Sequence, residues 1–297
     1  MVTNVAVKPK RQYRGMTRWG RIFRNLGMLL PATILALLFI TAIFAEWLAP
    51  FPYDETSLPE RRMPPAWMEG GSMKHFLGTD NIGRDVLSRA IYGARVSISV
   101  SLLAIAITAS IGTVLGIMSG YLGGRTDAFI MRITDIAMSF PALLVAILIA
   151  VSLGPGFFTV IFALSILGWS GYARIIRGEA LRIRNSDFVA QAQVIGVSPW
   201  KIMIRHIFPN ILNILIIGIT LSIGTMILAE AAMSYLGIGI PPPMPSWGSM
   251  VADGRNDLDR AWWISTFPGI LIGLVVLSGN FLGDWIRDKT DPRLRRL

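Results

Sequence analysis

Few residues in this 297-residue sequence could carry out bond-making chemistry. There is no cysteine, which excludes a thiolate nucleophile, a disulfide and a Cys-ligated metal. The two histidines, His75 and His206, are far apart and lie in different predicted loops. No G-x-x-x-x-G-K-[ST] motif occurs and no lysine follows a glycine, so the chain lacks a Walker A phosphate cradle. We therefore expect no catalytic, cofactor-binding or metal site, and a chain that is not an enzyme.

Two acidic residues lie at or within long apolar stretches. Glu230 stands in GTMILAEAAMSYLG, where an ionisable group is costly unless it faces a partner or a wet cavity. Two interpretations follow for Glu230: a structural hydrogen bond between helices, or a place on a polar translocation pathway. Asp135 follows Arg132 by three residues, a spacing that predicts an ion pair on one helical face.

The basic segment SDFVAQAQVIGVSPWKIMIRHIFPN, residues 186–210, is amphipathic. Ser186 or Asn185 can cap a helix that begins at Asp187. Gly196 is a natural end for that helix, because glycine tolerates a left-handed backbone. The spacing of apolar residues predicts one packed face. That face consists of Phe188, Val189, Ala192 and Ile195.

A second short helix is predicted directly after the glycine. Ser198 followed by Pro199 is a start signal, and Pro209 marks a bend where the next apolar stretch begins. The predicted apolar stripe consists of Trp200, Met203, Ile204, Ile207 and Phe208. Such a helix pair can lie along a membrane surface or dock into a groove of a partner protein. The pattern alone leaves both possibilities open.

The elements that must position these residues are membrane-spanning helices. The chain is 53% hydrophobic and 15% charged, with a mean hydropathy of +0.56. Its long apolar runs lack the alternation of strands, so they predict an all-α integral membrane protein with six transmembrane helices. The predicted crossings are residues 27–49, 97–122, 129–153, 157–173, 210–236 and 263–283.

Most of the 28 Lys and Arg residues fall on one predicted side, which places the N- and C-termini in the cytoplasm. The first apolar run is too long for a cleaved signal and reads as an anchor. The charge bias orients the chain, so the net charge of +10 indicates no nucleic-acid partner. The predicted organisation is a cytoplasmic N-terminus, a first helix with an exterior loop, a five-helix core carrying an interior loop, and a cytoplasmic tail. These regions are residues 1–26, 27–96, 97–283 with loop 174–209, and 284–297.

Two predicted exterior loops, 50–96 and 237–262, contain turn signals. In GTDNIGRD, Asp80 could cap a helix that leads into the second crossing. In PPPMPSWG, Trp247 is expected at the membrane interface.

The second crossing carries Gly112, Gly116 and Gly120, spaced by four residues on one helical face. Small residues at this spacing favour close packing of another helix. The spacing leaves open whether that helix belongs to this chain or to a partner.

The loop also resembles a family motif. Gly196, nine residues, His206, one residue and then Phe208-Pro209 have the spacing of the EAA loop of bacterial ABC importer permeases. That loop runs Glu-Ala-Ala, three residues, Gly, nine residues, Ile, any residue, Leu-Pro. Gly196 and Pro209 match in identity. Ala192 matches the second Ala, whereas Ala190, Gln191, His206 and Phe208 stand where the family has Glu, Ala, Ile and Leu.

Three further stretches extend the resemblance over nearly the whole chain beyond residue 26. FLGTDNIGRDVLSRAIYGARVSIS (76–99), YLGIGIPPPMPSWGSM (235–250) and GDWIRDKTDPRLR (283–295) look like the second permease of dipeptide, oligopeptide and nickel importers. Four segments in the same order make the resemblance specific.

The resemblance implies half of a type I ABC importer in the bacterial inner membrane. Its expected partners are a second permease, two ATP-binding subunits that hold ATP and Mg, an external solute-binding protein, and membrane lipid. The helix before the glycine would be the coupling helix, seated on an ATP-binding subunit. The residues expected to couple are Phe188, Ala190, Gln191, Ala192, Gly196 and Pro209.

The expected cargo is a dipeptide or oligopeptide, again by resemblance, with nickel or another small solute as the alternative. Two interpretations from other classes are an autonomous channel and an intramembrane enzyme. The structured interior loop argues for a driven partner rather than a channel. Two distant histidines without cysteine argue against an enzyme.

Overall fold

The computed structural model describes residues 18–290, and side-chain environments from residue 29 onward. The predicted cytoplasmic ends therefore lie in part outside the described residues, namely 1–17 and 291–297. Within residues 18–290 the regular secondary structure is helical, with no strand. The helices are α1 (Arg18–Ile43), α2 (Ala45–Leu48), α3 (Val86–Leu122), α4 (Gly124–Ser139), α5 (Ala142–Leu153), α6 (Phe157–Arg184), α7 (Asp187–Val194), α8 (Pro199–Ile202), α9 (Phe208–Tyr235), α10 (Trp247–Gly254), α11 (Leu258–Ala261) and α12 (Trp263–Thr290).

Four helical runs in this part of the chain are long and apolar enough to cross a membrane alone: α3, α6, Pro199–Tyr235 and α12. The pair α4 and α5 makes a fifth span, bent by 83°. The first predicted crossing falls on α1, whose described apolar part is the shorter stretch Leu29–Ile43. The all-α membrane architecture is confirmed, and each of the six predicted apolar segments lies on helix.

The predicted crossing 129–153 is not one straight helix. It breaks at Phe140, whose ψ of 136° is extended, between α4 and α5. The reason is Pro141, because the ring of a proline disfavours the helical conformation of the residue before it. The position of Pro141 in the sequence was therefore already a signal for this break.

Two helices extend beyond the crossings predicted on them. Helix α3 begins at Val86, so residues 86–96 are helix rather than exterior loop. Helix α6 continues beyond residue 173 to Arg184. The added turns of α6 are held by packing, since Ile176, Ala180 and Ile183 are buried in one apolar cluster with Ile117 of α3.

The centre of the bundle is the packing of α3 along α6. A Cβ on Gly112 would lie 2.5 Å from the carbonyl oxygen of Trp169, and one on Gly116 would lie 2.8 Å from that of Ala173. A Cβ on Gly120 would lie 2.7 Å from the Cβ of Ala180. The glycine face is thus a close helix contact, and it is made within this chain.

We expect Gly112→Ala to lower the free energy of unfolding by about 1–3 kcal/mol, because the new methyl group forces α3 and α6 apart. Gly171→Ala on α6 is the matched control, since a Cβ there meets nothing within 4 Å. Thermal unfolding of the purified protein in detergent measures both. Equal midpoints for the two variants would contradict the close contact.

The predicted exterior segments pack on each other, as loops on one side of a membrane should. Arg62 Nη2 lies 3.0 Å from Asp257 Oδ1, and the indole of Trp263 donates to the carbonyl oxygen of Thr79 at 3.0 Å. The segments predicted to be interior meet at the other end of α3 and α6, where Asp127 contacts Arg177. The two ends of the bundle are therefore distinct surfaces.

Candidate functional site

The candidate coupling segment is the helix pair that follows α6. Helix α7 begins at Asp187, as predicted, with Ser186 in the extended N-cap conformation. The Ser186 hydroxyl does not cap α7. It donates back to the carbonyl oxygen of Ile183 at 2.5 Å, so that it ties the end of α6 to the start of α7.

Gly196 ends α7 as predicted, with φ of +79°. Its N–H donates to the carbonyl oxygen of Gln193 at 3.0 Å, and the N–H of Val197 donates to that of Ala192 at 3.0 Å. These two bonds form a Schellman motif, which satisfies carbonyls at the helix end and fixes the direction of the exit chain. A Cβ at Gly196 would meet nothing within 4 Å, so the demand for glycine comes from the backbone alone.

Helix α8 begins at Pro199 after Ser198, as predicted. One π-helical turn, Met203–Ile207, then joins it to α9, and the N–H of Phe208 donates to the carbonyl oxygen of Met203. The wide turn precedes Pro209, which has no N–H to donate and would crowd a regular α-helix. The predicted bend is therefore a π turn within one continuous helical run.

The buried side of the segment differs from the predicted face. Val189 and Ala192 are buried, in one cluster with Ile176 and Ile117, and Ile202, Met203 and Ile207 complete that cluster from below. The predicted members Phe188 and Ile195 are instead 43% and 78% exposed. The face is rotated because α7 lies over the ends of α3 and α6, which receive only the Val189 side.

An apolar surface consequently remains on the outside of α7. Val194 is 86% exposed and Ile195 is 78% exposed, and the side chains of Ala190 and Gln191 are exposed beside them. His206 lies against Phe188, with the ring centroids 6.4 Å apart. Sequence reasoning missed Val194, although its spacing of four from Ala190 was visible.

Ion pairs join α4 to α6 within the bundle. Arg177 of α6 makes a bidentate contact with Asp127 of α4, with Nε–Oδ1 and Nη2–Oδ2 distances of 2.5 and 2.6 Å. The Ser119 hydroxyl donates to the same carboxylate. Asp135 pairs with Arg174 at 2.6 Å, not with Arg132, so the predicted intrahelical pair is wrong. A cation on the neighbouring helix reaches the carboxylate instead.

Glu230 is fully buried where α9 meets α3 and the exterior helix α10. Its carboxylate accepts from the hydroxyls of Ser97 at 2.8 Å and Ser234 at 2.7 Å. Ser246 donates to Ser234 at 3.1 Å, and the backbone N–H of Trp247 donates to Ser97 at 3.2 Å. The carboxylate therefore links three helices by hydrogen bonds, which is the structural interpretation of Glu230.

A separate hollow lies between α5, α6 and α9, with a volume of about 580 Å³. Its walls are almost entirely apolar. Met138, Phe140, Leu143, Leu164, Leu167, Met226 and Leu228 are among the residues that line it. Glu230 is not one of them. Large apolar side chains here stay exposed within a single subunit, including Leu228 at 55%.

The exterior end is held by charged groups from the GTDNIGRD stretch. Asp85, rather than Asp80, caps α3 by accepting from the N–H of Ser88 at 2.7 Å. Asp80 accepts from the N–H and the guanidinium of Arg84, and Arg84 and Arg89 both reach Asp253 of α10. The stretch is thus a turn and a cap, although the capping carboxylate comes five residues later than predicted.

Local contacts set the ionisation of two exterior carboxyls. Burial raises the pKa of Asp253, and the charges of Arg89 and Arg84 oppose that shift. The Lys74 ammonium lies 2.7 Å from Glu60, and its hydrogen bond is the main cause that lowers the pKa of Glu60 to about 2.

Trp247, expected at a membrane interface, is fully buried, and its indole donates to the carbonyl oxygen of Ala90 at 3.0 Å.

The two histidines have separate neighbours. His75 is buried, with Nδ1 2.9 Å from Asp85 and Nε2 3.4 Å from Glu60. Among residues 18–290, no group of three His, Asp or Glu side chains is arranged to hold a metal ion.

The fold matches a solved transporter. A chain of the MetNI methionine ABC transporter, in inward-facing conformations, aligns with a TM-score of 0.57 at 17% identity, over 69% of this chain and 96% of that one. The fold is therefore that of a type I ABC importer permease. Residues 112–296 match the family described as binding-protein-dependent transport system inner membrane component, and the chain belongs to that family.

Residues 16–65 match the N-terminal transmembrane domain of oligopeptide transport permease C. Among the curated relatives, the di/tripeptide permease DppC of Pseudomonas aeruginosa is 38% identical, over 93% of this chain and 91% of its own. The oligopeptide permease OppC of Bacillus subtilis is 39% identical, over 89% of this chain and 84% of its own. The chain is therefore an inner-membrane transport component.

Proposed function

We propose that this chain is one of two permease subunits of an ATP-driven importer of dipeptides or oligopeptides. It would work with a second permease, two ATP-binding subunits that hold ATP and Mg, and an external solute-binding protein. The observation that carries the proposal is the uncovered apolar surface of α7, positioned rigidly over the ends of α3 and α6. Names of the relatives at 38–39% identity support the peptide cargo.

Helix α7 is suited to transmit force because it is fixed on one side and open on the other. Val189, on the side of α7 that faces the bundle, is fully buried, and the Schellman bonds at Gly196 fix the end of the helix. Val194 and Ile195 face away from the bundle, where a groove of an ATP-binding subunit would remove them from water. Movement of that groove would then move α7, and with it α6 and α9.

The open hollow between α5, α6 and α9 fits half of a translocation pathway. In a pair of permeases, two such surfaces would face each other and enclose the cargo. Apolar walls without fixed charges suit peptides of varied sequence, because a wall that makes few hydrogen bonds imposes little selection. Selection would then rest with the external binding protein.

We expect a single cysteine at Gln191 to crosslink to an ATP-binding subunit in the assembled importer. The chain has no native cysteine, so a crosslink from this subunit can form only at position 191. Glu69→Cys in the predicted exterior loop is the matched control, since its side chain is also exposed and should give no such product. Absence of the Gln191 product in an active complex would contradict the assignment of α7.

The cargo is tested by uptake into proteoliposomes that contain the complete importer. ATP-dependent entry of a labelled dipeptide or pentapeptide, saturable and dependent on the binding protein, is expected. Nickel is the alternative cargo. Uptake of nickel without peptide would leave the permease assignment intact and overturn the peptide assignment, whereas conduction without ATP would favour the channel.

A further inference from the structure

A second large cavity borders the coupling segment. It is a groove of about 520 Å³ between α3 and the run from α8 into α9. Its lining is almost wholly apolar. The wall includes Ala106, Val114, Trp200, Met203, Ile204 and Phe208. Val114 and Ile204 are 52% and 51% exposed, so nothing in residues 18–290 covers the groove.

Two exposed cations flank groove residues on the same helical run. Lys201 and Arg205 are one helical turn apart and directly follow the groove residues Trp200 and Ile204. Neither forms an ion pair with any other described side chain, whereas Arg174, Arg177 and Arg182 nearby all do. Trp200, which lines the groove and directly precedes Lys201, is 59% exposed. Tryptophan in that position is typical of the boundary between hydrocarbon and headgroups.

An apolar groove flanked by unpaired, exposed cations is complementary to an amphipathic anion. We propose that it binds one anionic phospholipid of the cytoplasmic leaflet. An acyl chain lies along Val114 and Ile204, and the headgroup phosphate contacts Lys201 and Arg205. Basic sites between helices on the cytoplasmic side are known to bind anionic headgroups. The assignment to that leaflet rests on the orientation in the proposed function.

The bound lipid would act on the coupling segment. Met203 and Ile204 lie in the π turn that joins α8 to α9, and both also line the groove. An acyl chain packed against them would hold the turn against α3. Anionic lipid is therefore expected to raise ATP-coupled uptake relative to a membrane that contains only zwitterionic lipid.

The test uses the complete importer in nanodiscs of phosphatidylcholine with or without phosphatidylglycerol. A photoreactive benzoylphenylalanine at Ile204 should give an adduct with the mass of a phospholipid, enriched for phosphatidylglycerol. An adduct with a helix of the second permease would overturn the proposal, as would a lipid adduct without preference for the anionic headgroup.

Charge variants test the headgroup contact. Replacing Lys201 and Arg205 by Gln should lower retention of phosphatidylglycerol about 30-fold in native mass spectra, because two cations are lost. The control replaces Arg125 and Arg132 by Gln, two exposed arginines of α4 remote in sequence from the groove. Equal loss in both would overturn the proposal. Lys201→Arg with Arg205→Lys keeps both charges and should keep retention, which separates headgroup binding from a folding defect.

Failure of this proposal can be told from failure of the proposed function. If Gln191 crosslinks to the ATP-binding subunit while Ile204 captures no anionic lipid, only the lipid site is wrong. If a cysteine at position 191 does not crosslink in an active importer, the proposed orientation and the coupling role of α7 are contradicted.

Discussion

Gly196→Pro is expected to abolish coupled uptake while the importer still hydrolyses ATP. Gly196 has φ of +79°, whereas the ring of proline holds φ near −65°. Proline also removes the N–H that donates to the carbonyl oxygen of Gln193. Helix α7 would lose its end and its fixed direction over α3 and α6. The ratio of peptide imported to ATP hydrolysed, measured in proteoliposomes, should fall at least about tenfold.

A graded series at Gly196 distinguishes backbone strain from crowding. No atom lies within 4 Å of a Cβ built there, so side-chain size should not matter. Asn tolerates a left-handed backbone and should keep most of the coupling, whereas Ala pays about 1–2 kcal/mol for that conformation. We expect the order Gly, Asn, Ala, Pro. A proline variant that assembles with an unchanged coupling ratio would contradict the role of α7.

Glu230→Leu is expected to have the second large effect, on stability rather than on selection of cargo. It leaves the buried hydroxyls of Ser97 and Ser234 without their acceptor, and each unsatisfied group costs about 1–3 kcal/mol. The link between α3, α9 and α10 is lost with it. Thermal unfolding of the purified protein in detergent should shift to clearly lower temperature.

Glu230→Gln separates the two interpretations of this residue. An amide keeps the shape, and each serine hydroxyl can turn to accept where it now donates. We expect uptake within about threefold of normal, as for a residue that positions helices. Glu179→Gln on α6 is the control, because that carboxylate only pairs with the exposed Arg182. Loss of uptake in Glu230→Gln at unchanged stability would instead place Glu230 on the pathway.

The coupling segment shows how far local sequence signals reach. The start at Asp187, the end at Gly196 and the new start at Pro199 were all predictable, because a capping position, a positive φ and a proline ring act within a few residues. The outward face of α7 was not predictable. Its rotation depends on the shapes of α3 and α6 beneath it, which come from residues far away in sequence.

The bent span and the ion pairs show the same limit of prediction from sequence. The break before Pro141 was present in the sequence as a residue that precedes proline, and it was missed because the apolar run continues through it. Asp135 was assigned to Arg132 because spacing along one helix is all that sequence shows. The structure brings Arg174 to it from another helix, at 2.6 Å.

The sequence by itself determined that this chain is a helical membrane permease with a helix–glycine–helix segment after its fourth predicted crossing. Long apolar runs, charge bias and the positions of glycine and proline are local properties that can be recognised in a single sequence. Only the tertiary structure decided that Glu230 is bound by serines, that Trp247 is buried, and that an apolar groove beside Trp200 and Ile204 is left uncovered. Those facts depend on which helices meet, and burial and hydrogen bonding act through space rather than along the chain.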